Sequence, residues 1–205
     1  MTGICYIIGA GSFYGFVRRP GPGDCVIAAD AGYAVCRREG VTPDLVVGDF
    51  DSLGAAPDFP NIVQMPVEKD DTDTLHAMRI GLARGYTHFA VYGGTGGERA
   101  DHTLANLQCL LFLVKSGARG VLYGDGIQYS VLHNEALRFP AGKRGDFSAF
   151  CLDGEARGVT ERGFKYKLDN AVLTSDFPLG VSNSFTGVPA EITVADGTLI
   201  LYYEI

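Results

Sequence analysis

Aspartates recur where short apolar runs end. Asp30 follows the run 25–29, and Asp49 and Asp51 follow 45–47 within Gly48-Asp49-Phe50-Asp51-Ser52. Asp73 closes Lys69-Asp70-Asp71-Thr72-Asp73, and Asp101 stands behind Gly93-Gly94-Thr95-Gly96-Gly97-Glu98-Arg99. Alternate residues of an extended segment point to the same side, so Asp49 and Asp51 can face one point. Two carboxylates that close repel each other unless a cation or a proton intervenes. Magnesium suits such a pair, because it takes a few carboxylates and fills its other positions with water and phosphate oxygens. An isolated Asp-x-Asp is more often a turn cap beside a solvated acid. With Asp30 and Asp73 at matching positions, the balance moves to a metal.

The segment 69–73 has the composition of a helix start, where Asp and Thr cap free N–H groups and acids favour the dipole. Capping needs one such residue, whereas four stand here in a row. We therefore expect Asp73 to be a metal ligand, with Thr72 and Lys69 contacting a phosphate at the helix N-terminus. The glycines of 93–97 let the backbone approach an anionic ligand closely, although no Gly-Lys-Ser/Thr follows to make a Walker loop. Arg99 can grip a phosphate in a forked geometry. Asp101 can cap the following helix while facing the site, and His102 reads as a packing or capping residue. Gly9-Ala10-Gly11 suggests a dinucleotide fingerprint, but the next glycine, Gly15, comes one residue too late. The prolines and glycines of 20–23 also forbid the long helix that fingerprint requires.

These residues need a frame. Short apolar runs at 4–8, 25–29, 45–47, 62–65, 89–92 and 120–123 read as strands bounded by Gly, Pro or Asp. Helical periods lie between the later ones, with Leu75, Met78 and Leu82 on one face and Leu104, Leu107, Leu111 and Val114 on another. Alternating strands and helices predict an α/β domain over 1–124 with a mainly parallel, Rossmann-like sheet. In such a sheet ligands bind at the carboxyl ends of the strands, where the aspartates stand. From 125 to 205 the helical periods cease. Strand-like segments at 128–133, 146–152, 171–174, 190–194 and 198–203 predict an all-β sandwich.

Net charge is −7, which argues against a general nucleic-acid surface, since that needs clustered cations. The five cysteines are odd in number and show no C-x-x-C pair, so they read as buried thiols of a reducing compartment. With no basic leader and no run approaching the length of a membrane span, a cytoplasmic protein is expected.

The set Asp30-Ala31-Gly32, Pro43-Asp44-Leu45 with Gly48-Asp49-Phe50-Asp51-Ser52, the 69–73 segment, and Arg99-Ala100-Asp101-His102 with Asn106 resembles the thiamine pyrophosphokinase family. Gly158-Val159-Thr160, Gly163-Phe164-Lys165-Tyr166-Lys167-Leu168 and Gly180-Val181-Ser182-Asn183 follow in that family's order. The resemblance implies a homodimer with active sites in clefts between subunits. It implies transfer of a diphosphoryl group from ATP to the hydroxyl of thiamine, releasing AMP, with Mg2+ required. By motif, Asp49, Asp51 and Asp73 correspond to the metal-binding carboxylates, and Asp101 joins them among the catalytic acids. Asp30, Lys69, Thr72 and Arg99 correspond to the nucleotide and phosphate site. Tyr166, Ser182 and Asn183 correspond to the thiamine side, with the Tyr166 ring stacking on the substrate. Ser184 stands where many bacterial relatives carry Glu, and Ala31 where some carry Gly.

Three other chemistries compete. A diphosphokinase acting on a hydroxymethyl-pterin needs contacts to a neutral ring instead of a cation. A non-catalytic ATP-binding sensor predicts the loss of some acidic ligands, and all are present. A metal phosphohydrolase calls for histidine ligands to a second metal, and the four histidines lie outside the acidic motifs.

Overall fold

A computed structural model describes residues 3–50, 58–66, 71–97 and 99–205. The chain divides into two compact units, Met1–Asp125 and Gly126–Ile205. The first contains β1 (Cys5–Ile8), β2 (Cys25–Ala29), α1 (Gly32–Arg38), β3 (Leu45–Gly48), β4 (Ile62–Gln64), α2 (Asp73–Ala83), β5 (His88–Tyr92), α3 (Ala100–Lys115) and β6 (Arg119–Tyr123). Its six described strands pair in the order β6-β5-β1-β2-β3-β4, every neighbour parallel. β1, β2 and β3 are buried along their whole length, as expected of parallel strands covered on both faces. The chain runs outward from β1 through β2, β3 and β4, then returns to place β5 on the other flank of β1. The carboxyl ends of β1, β2 and β5 thus surround a point where strand order reverses, the usual place for a ligand crevice.

The helices differ from expectation in two respects. α1 carries no long apolar period, and only Gly32, Val35 and Cys36 are buried along its seven residues. α3 begins at Ala100 and buries Asn106, Cys109, Leu110 and Leu113. Leu104, expected on the inner face, is 65% exposed. The inward stripe is therefore rotated from the leucine count, because a polar residue, Asn106, occupies one of its positions.

The second unit contains β7 (Ile127–His133), β8 (Ala136–Phe139), β9 (Arg144–Cys151), β10 (Glu155–Arg162), β11 (Leu168–Thr174), β12 (Asn183–Thr186), β13 (Ala190–Thr193) and β14 (Thr198–Glu204). They form two four-stranded antiparallel sets, β12-β9-β14-β7 and β11-β10-β13-β8. Both sets contribute to one core that includes Phe139, Phe147, Phe164, Phe185, Ile192 and Leu201. Phe147 and Phe164 pack with ring centroids 4.3 Å apart, and Phe139 meets Phe185 edge-on at 4.9 Å. Burying rings of this size, about 150–250 Å² each, dominates the energetics of so small a core. β8, β10 and β12 were not legible as runs. β8 and β12 are four residues long, and β10 mixes four charged side chains with its inward Ala156 and Val159.

None of the described helices is long and apolar enough to cross a membrane. All five cysteines are free and buried.

Candidate active site

The loop after β1 and the loop after β5 lie back to back. The Gly9 N–H donates to the Tyr92 carbonyl and the Gly11 N–H to the Gly93 carbonyl, each at 2.7 Å. Gly93 has φ +65°, and a Cβ there would lie 2.4 Å from the Gly9 carbonyl oxygen. Only glycine allows that approach. Asn106 on α3 stiffens the second loop from behind. It is 6% exposed, and its Nδ2 donates to the Gly94 carbonyl at 2.8 Å.

The loop after β2 is held in an uncommon conformation. Asp30 has φ +50°, and its N–H donates to the Val47 carbonyl at 2.7 Å. Gly32 follows against β1, where an added Cβ would lie 1.9 Å from the Ile8 carbonyl oxygen. After β3, Phe50 has φ +60° with its ring 2% exposed. Left-handed backbone at a bulky residue costs about 1–3 kcal/mol and gathers at functional sites. Here Phe50 inserts its ring into the core directly after Asp49.

α2 begins as its composition requires. Thr72 is the N-cap, its Oγ1 accepting from the Leu75 N–H at 3.2 Å, and Asp73 opens the first turn. Behind it, burial pushes the Cys109 thiol up to about 11, against a lowering hydrogen bond to Thr72. Thr72 is thus engaged as a cap while also facing the cavity described next.

These elements enclose a cavity of about 520 Å³. Asp30, Asp49, Thr72, Asp73, Arg99 and His102 line it, together with Gly11 and the glycines of 93–97. Five of the expected residues therefore meet at one place: Asp30, Asp49, Thr72, Asp73 and Arg99. Asp51 and Lys69 lie outside the described residues. Among the described residues, no three acidic, histidine or cysteine side chains gather closely enough to hold a metal ion by themselves. Asp49 and Asp73, the two described members of the expected metal-binding set, both line the cavity.

Asp101 does not cap α3. The helix starts at Ala100 with Arg99 at the N-cap position, and Asp101 sits within the first turn. Arg99 instead grips Asp101 in a fork, Nε to Oδ1 at 3.0 Å and Nη2 to Oδ2 at 2.7 Å, with both side chains about two-thirds exposed. Hydrogen bonds from Arg99 hold the Asp101 carboxyl down to about 2 and raise the guanidinium. His102 lines the cavity and is exposed, so it is not a packed core residue.

In the second unit Tyr166, Ser182 and Asn183 come together. The Tyr166 N–H donates to Asn183 Oδ1 at 2.9 Å, and Asn183 Nδ2 donates to the Tyr166 carbonyl at 2.8 Å. Tyr166 is 58% exposed, and Lys165 Nζ lies 5.1 Å from its ring centroid. Ser182 is exposed with φ +64°, its N–H donating to Ser148 Oγ at 3.1 Å. Asn183 differs from the other two, being 4% exposed with its amide engaged inside the protein. Of the five non-glycine residues with positive φ among the described residues, two are Asn134 and Asn170, a type that tolerates this region in turns. The other three are Asp30, Phe50 and Ser182, each within or beside an expected site motif. Glu161, one of the ligands of Asn183, was not singled out by the sequence, where it reads as one charge among several in a strand.

Comparison with known proteins agrees in both halves. Residues 23–122 match the family "Thiamin pyrophosphokinase, catalytic domain", and residues 138–199 match "Thiamin pyrophosphokinase, vitamin B1 binding domain". The thiamine pyrophosphokinase of Bacillus subtilis (strain 168) is 29% identical, with 85% of each chain covered. A crystal structure of thiamine pyrophosphokinase from Bacillus subtilis superposes with a TM-score of 0.84 at 25% identity over 98% of both chains. The yeast thiamin pyrophosphokinase shares the fold at a TM-score of 0.74 and 14% identity, covering all of this chain and 87% of its own. Matched in two successive segments, and along nearly its whole length in structure, the chain belongs to the thiamin pyrophosphokinase family.

Proposed function

We propose that this protein transfers a diphosphoryl group from ATP to the hydroxyl of thiamine, forming thiamine diphosphate and AMP. One observation carries the reading: Asp30, Asp49, Asp73, Thr72 and Arg99 line a single cavity walled by glycine backbone. Oxygen ligands beside an arginine and close-approach glycines suit a polyphosphate with its cation. The first unit is then the nucleotide-binding domain, Rossmann-like in its strand-end crevice, and the second the thiamine-binding domain.

Asp49 and Asp73, with Asp51, would hold magnesium, which when bound draws charge from the phosphate oxygens. Arg99 shares that task as a forked donor, and Lys69 as a point charge. For Arg99 to reach phosphate it exchanges Asp101 for the ligand. This is inexpensive, because the pair is exposed and such pairs contribute little. Asp30 and Thr72 orient the nucleotide from the strand end and the helix cap. Most of the acceleration then comes from alignment of donor and acceptor. An Asp takes the alcohol proton. Asp101 is held down to about 2 while Arg99 grips it and is released when Arg99 turns to phosphate, so Asp73 and Asp101 are both candidates for that role.

Tyr166 offers an exposed ring to the cationic thiazolium, and Lys165 already places an ammonium against that ring. Ser182 and Asn183 frame the same edge. A homodimer is part of the reading, supported by exposed apolar side chains on the second unit, Phe177 at 64% and Leu179 at 45%. A cytoplasmic setting is supported by five free thiols. The test is a panel of acceptors with ATP and magnesium, read by nucleotide chromatography. AMP appearing with thiamine but not with a hydroxymethyl-pterin supports the assignment. AMP formation independent of thiamine would overturn it.

A further inference from the structure

Glu161 is an acid inside the second unit's core, 1% exposed. Its cross-strand neighbours are apolar, Leu168 on β11 and Ile192 on β13. From the facing set of strands, Asn183 on β12 donates its Nδ2 to Glu161 Oε2 at 2.7 Å. Glu161 Oε1 is buried and has no hydrogen-bond partner among the described residues. Leaving a carboxyl in such surroundings is costly, and a leucine would pack there more favourably. The group therefore calls for a role that its packing does not supply.

That role is visible in what Asn183 does next. Its Oδ1 accepts from the N–H groups of both Tyr166 and Ser184 at 2.9 Å, and its Nδ2 donates to the Tyr166 carbonyl at 2.8 Å as well as to Glu161. The amide is saturated: two acceptors face its nitrogen and two donors face its oxygen. An amide flipped by half a turn would set its NH2 against two N–H groups and its oxygen against the Tyr166 carbonyl and Glu161. Glu161 thus adds a fourth mismatch to the wrong orientation and ties β12 to β10 beside the Tyr166 backbone.

We propose that Glu161 is a positioning residue for the acceptor substrate, fixing the Asn183 amide and, through it, the exposed Tyr166 ring. This rests on the reading of Tyr166 as the thiamine contact. Glu161 touches no substrate itself. Its signature is a split between substrates: the acceptor's KM changes and the nucleotide's does not.

The test compares Glu161→Gln, Glu161→Asp and Glu161→Leu with the wild-type protein, measuring KM for thiamine and for ATP separately. Gln keeps an acceptor for Asn183 at the same reach, so its thiamine KM should stay within about twofold of wild type. Asp keeps the charge but falls a methylene short, and Leu removes the acceptor. Both should raise the thiamine KM by roughly tenfold, with the ATP KM within about twofold. Should the Leu variant not fold, the Asp variant decides. A thiamine KM unchanged in the Asp variant, or thiamine and ATP KM values raised together, would overturn the proposal. Wild-type protein that forms no AMP with thiamine would overturn the reading of the site and this role with it. Wild-type activity with an unresponsive Asp variant would overturn the role of Glu161 alone.

Discussion

The same glutamate gives the protein a pH dependence that can be worked out in advance. Burial, partly offset by the hydrogen bond from Asn183, pushes the Glu161 carboxyl up from the ordinary 4.5 to about 7. The unfolded chain releases this proton near 4.5, whereas the folded chain holds it to about 7. Between those limits the native state binds more protons, so this group's contribution to stability falls as pH rises. At 1.36 kcal/mol per pKa unit, the gap corresponds to about 3 kcal/mol. Asp101 acts in the opposite sense, since its depressed carboxyl favours the folded state above its unfolded value and loses that effect as pH falls toward about 2. Subtracting a Glu161→Gln variant isolates Glu161 from such background. The variant places an unpartnered NH2 near the position of Oε1, which costs about 1–3 kcal/mol at every pH, while only the wild type titrates. Urea unfolding followed by tyrosine fluorescence, from about pH 4.5 to about pH 7.5, measures both proteins. The stability of wild type minus variant should fall by about 3 kcal/mol across that range. A difference that stays constant to within about 0.5 kcal/mol would refute the reasoning.

Three further outcomes are expected. Asp51→Asn and Asp73→Asn should each lower turnover by roughly a hundredfold or more with the unfolding midpoint retained, and full activity in either would remove that residue from the metal set. Tyr166→Ala should weaken thiamine binding by about tenfold, the scale of a desolvated cation–π contact, while ATP affinity measured by calorimetry is kept. Gly32→Ala forces a Cβ within 1.9 Å of the Ile8 carbonyl oxygen, where no side chain can swing aside. It should destabilise the protein by more than about 2 kcal/mol in urea, and a change below about 0.5 kcal/mol would contradict the close packing of α1 on β1.

Much of the first unit was legible because its signals are local. β1, β2 and β3 are apolar and buried throughout, as parallel strands covered on both faces must be, and Asp30 and Asp49 follow β2 and β3 directly. α1 escaped notice because a seven-residue helix burying three side chains has no period to count. The inner face of α3 was misread because Asn106 carries a loop-holding hydrogen bond that hydrophobicity does not register. The cap of α3 was misplaced for a related reason: Asp101 has the chemistry of a cap, but Arg99 captures its carboxylate. In the second unit, alternating patterns announced the longer strands. β10 was hidden by its charges, among them Glu161, whose burial depends on a partner 22 residues away. Pairings at that distance are set by tertiary packing. The strained backbone at Asp30, Phe50 and Ser182 is likewise a property of the fold alone.

The central claim is that the aspartate-lined cavity moves two phosphates together to thiamine. ATP labelled at the β-phosphate, incubated with protein, magnesium and thiamine, tests it directly. The account predicts that the label appears in a thiamine ester, with one AMP released per ester formed. Label retained in ADP, or released as free phosphate or pyrophosphate, would contradict it.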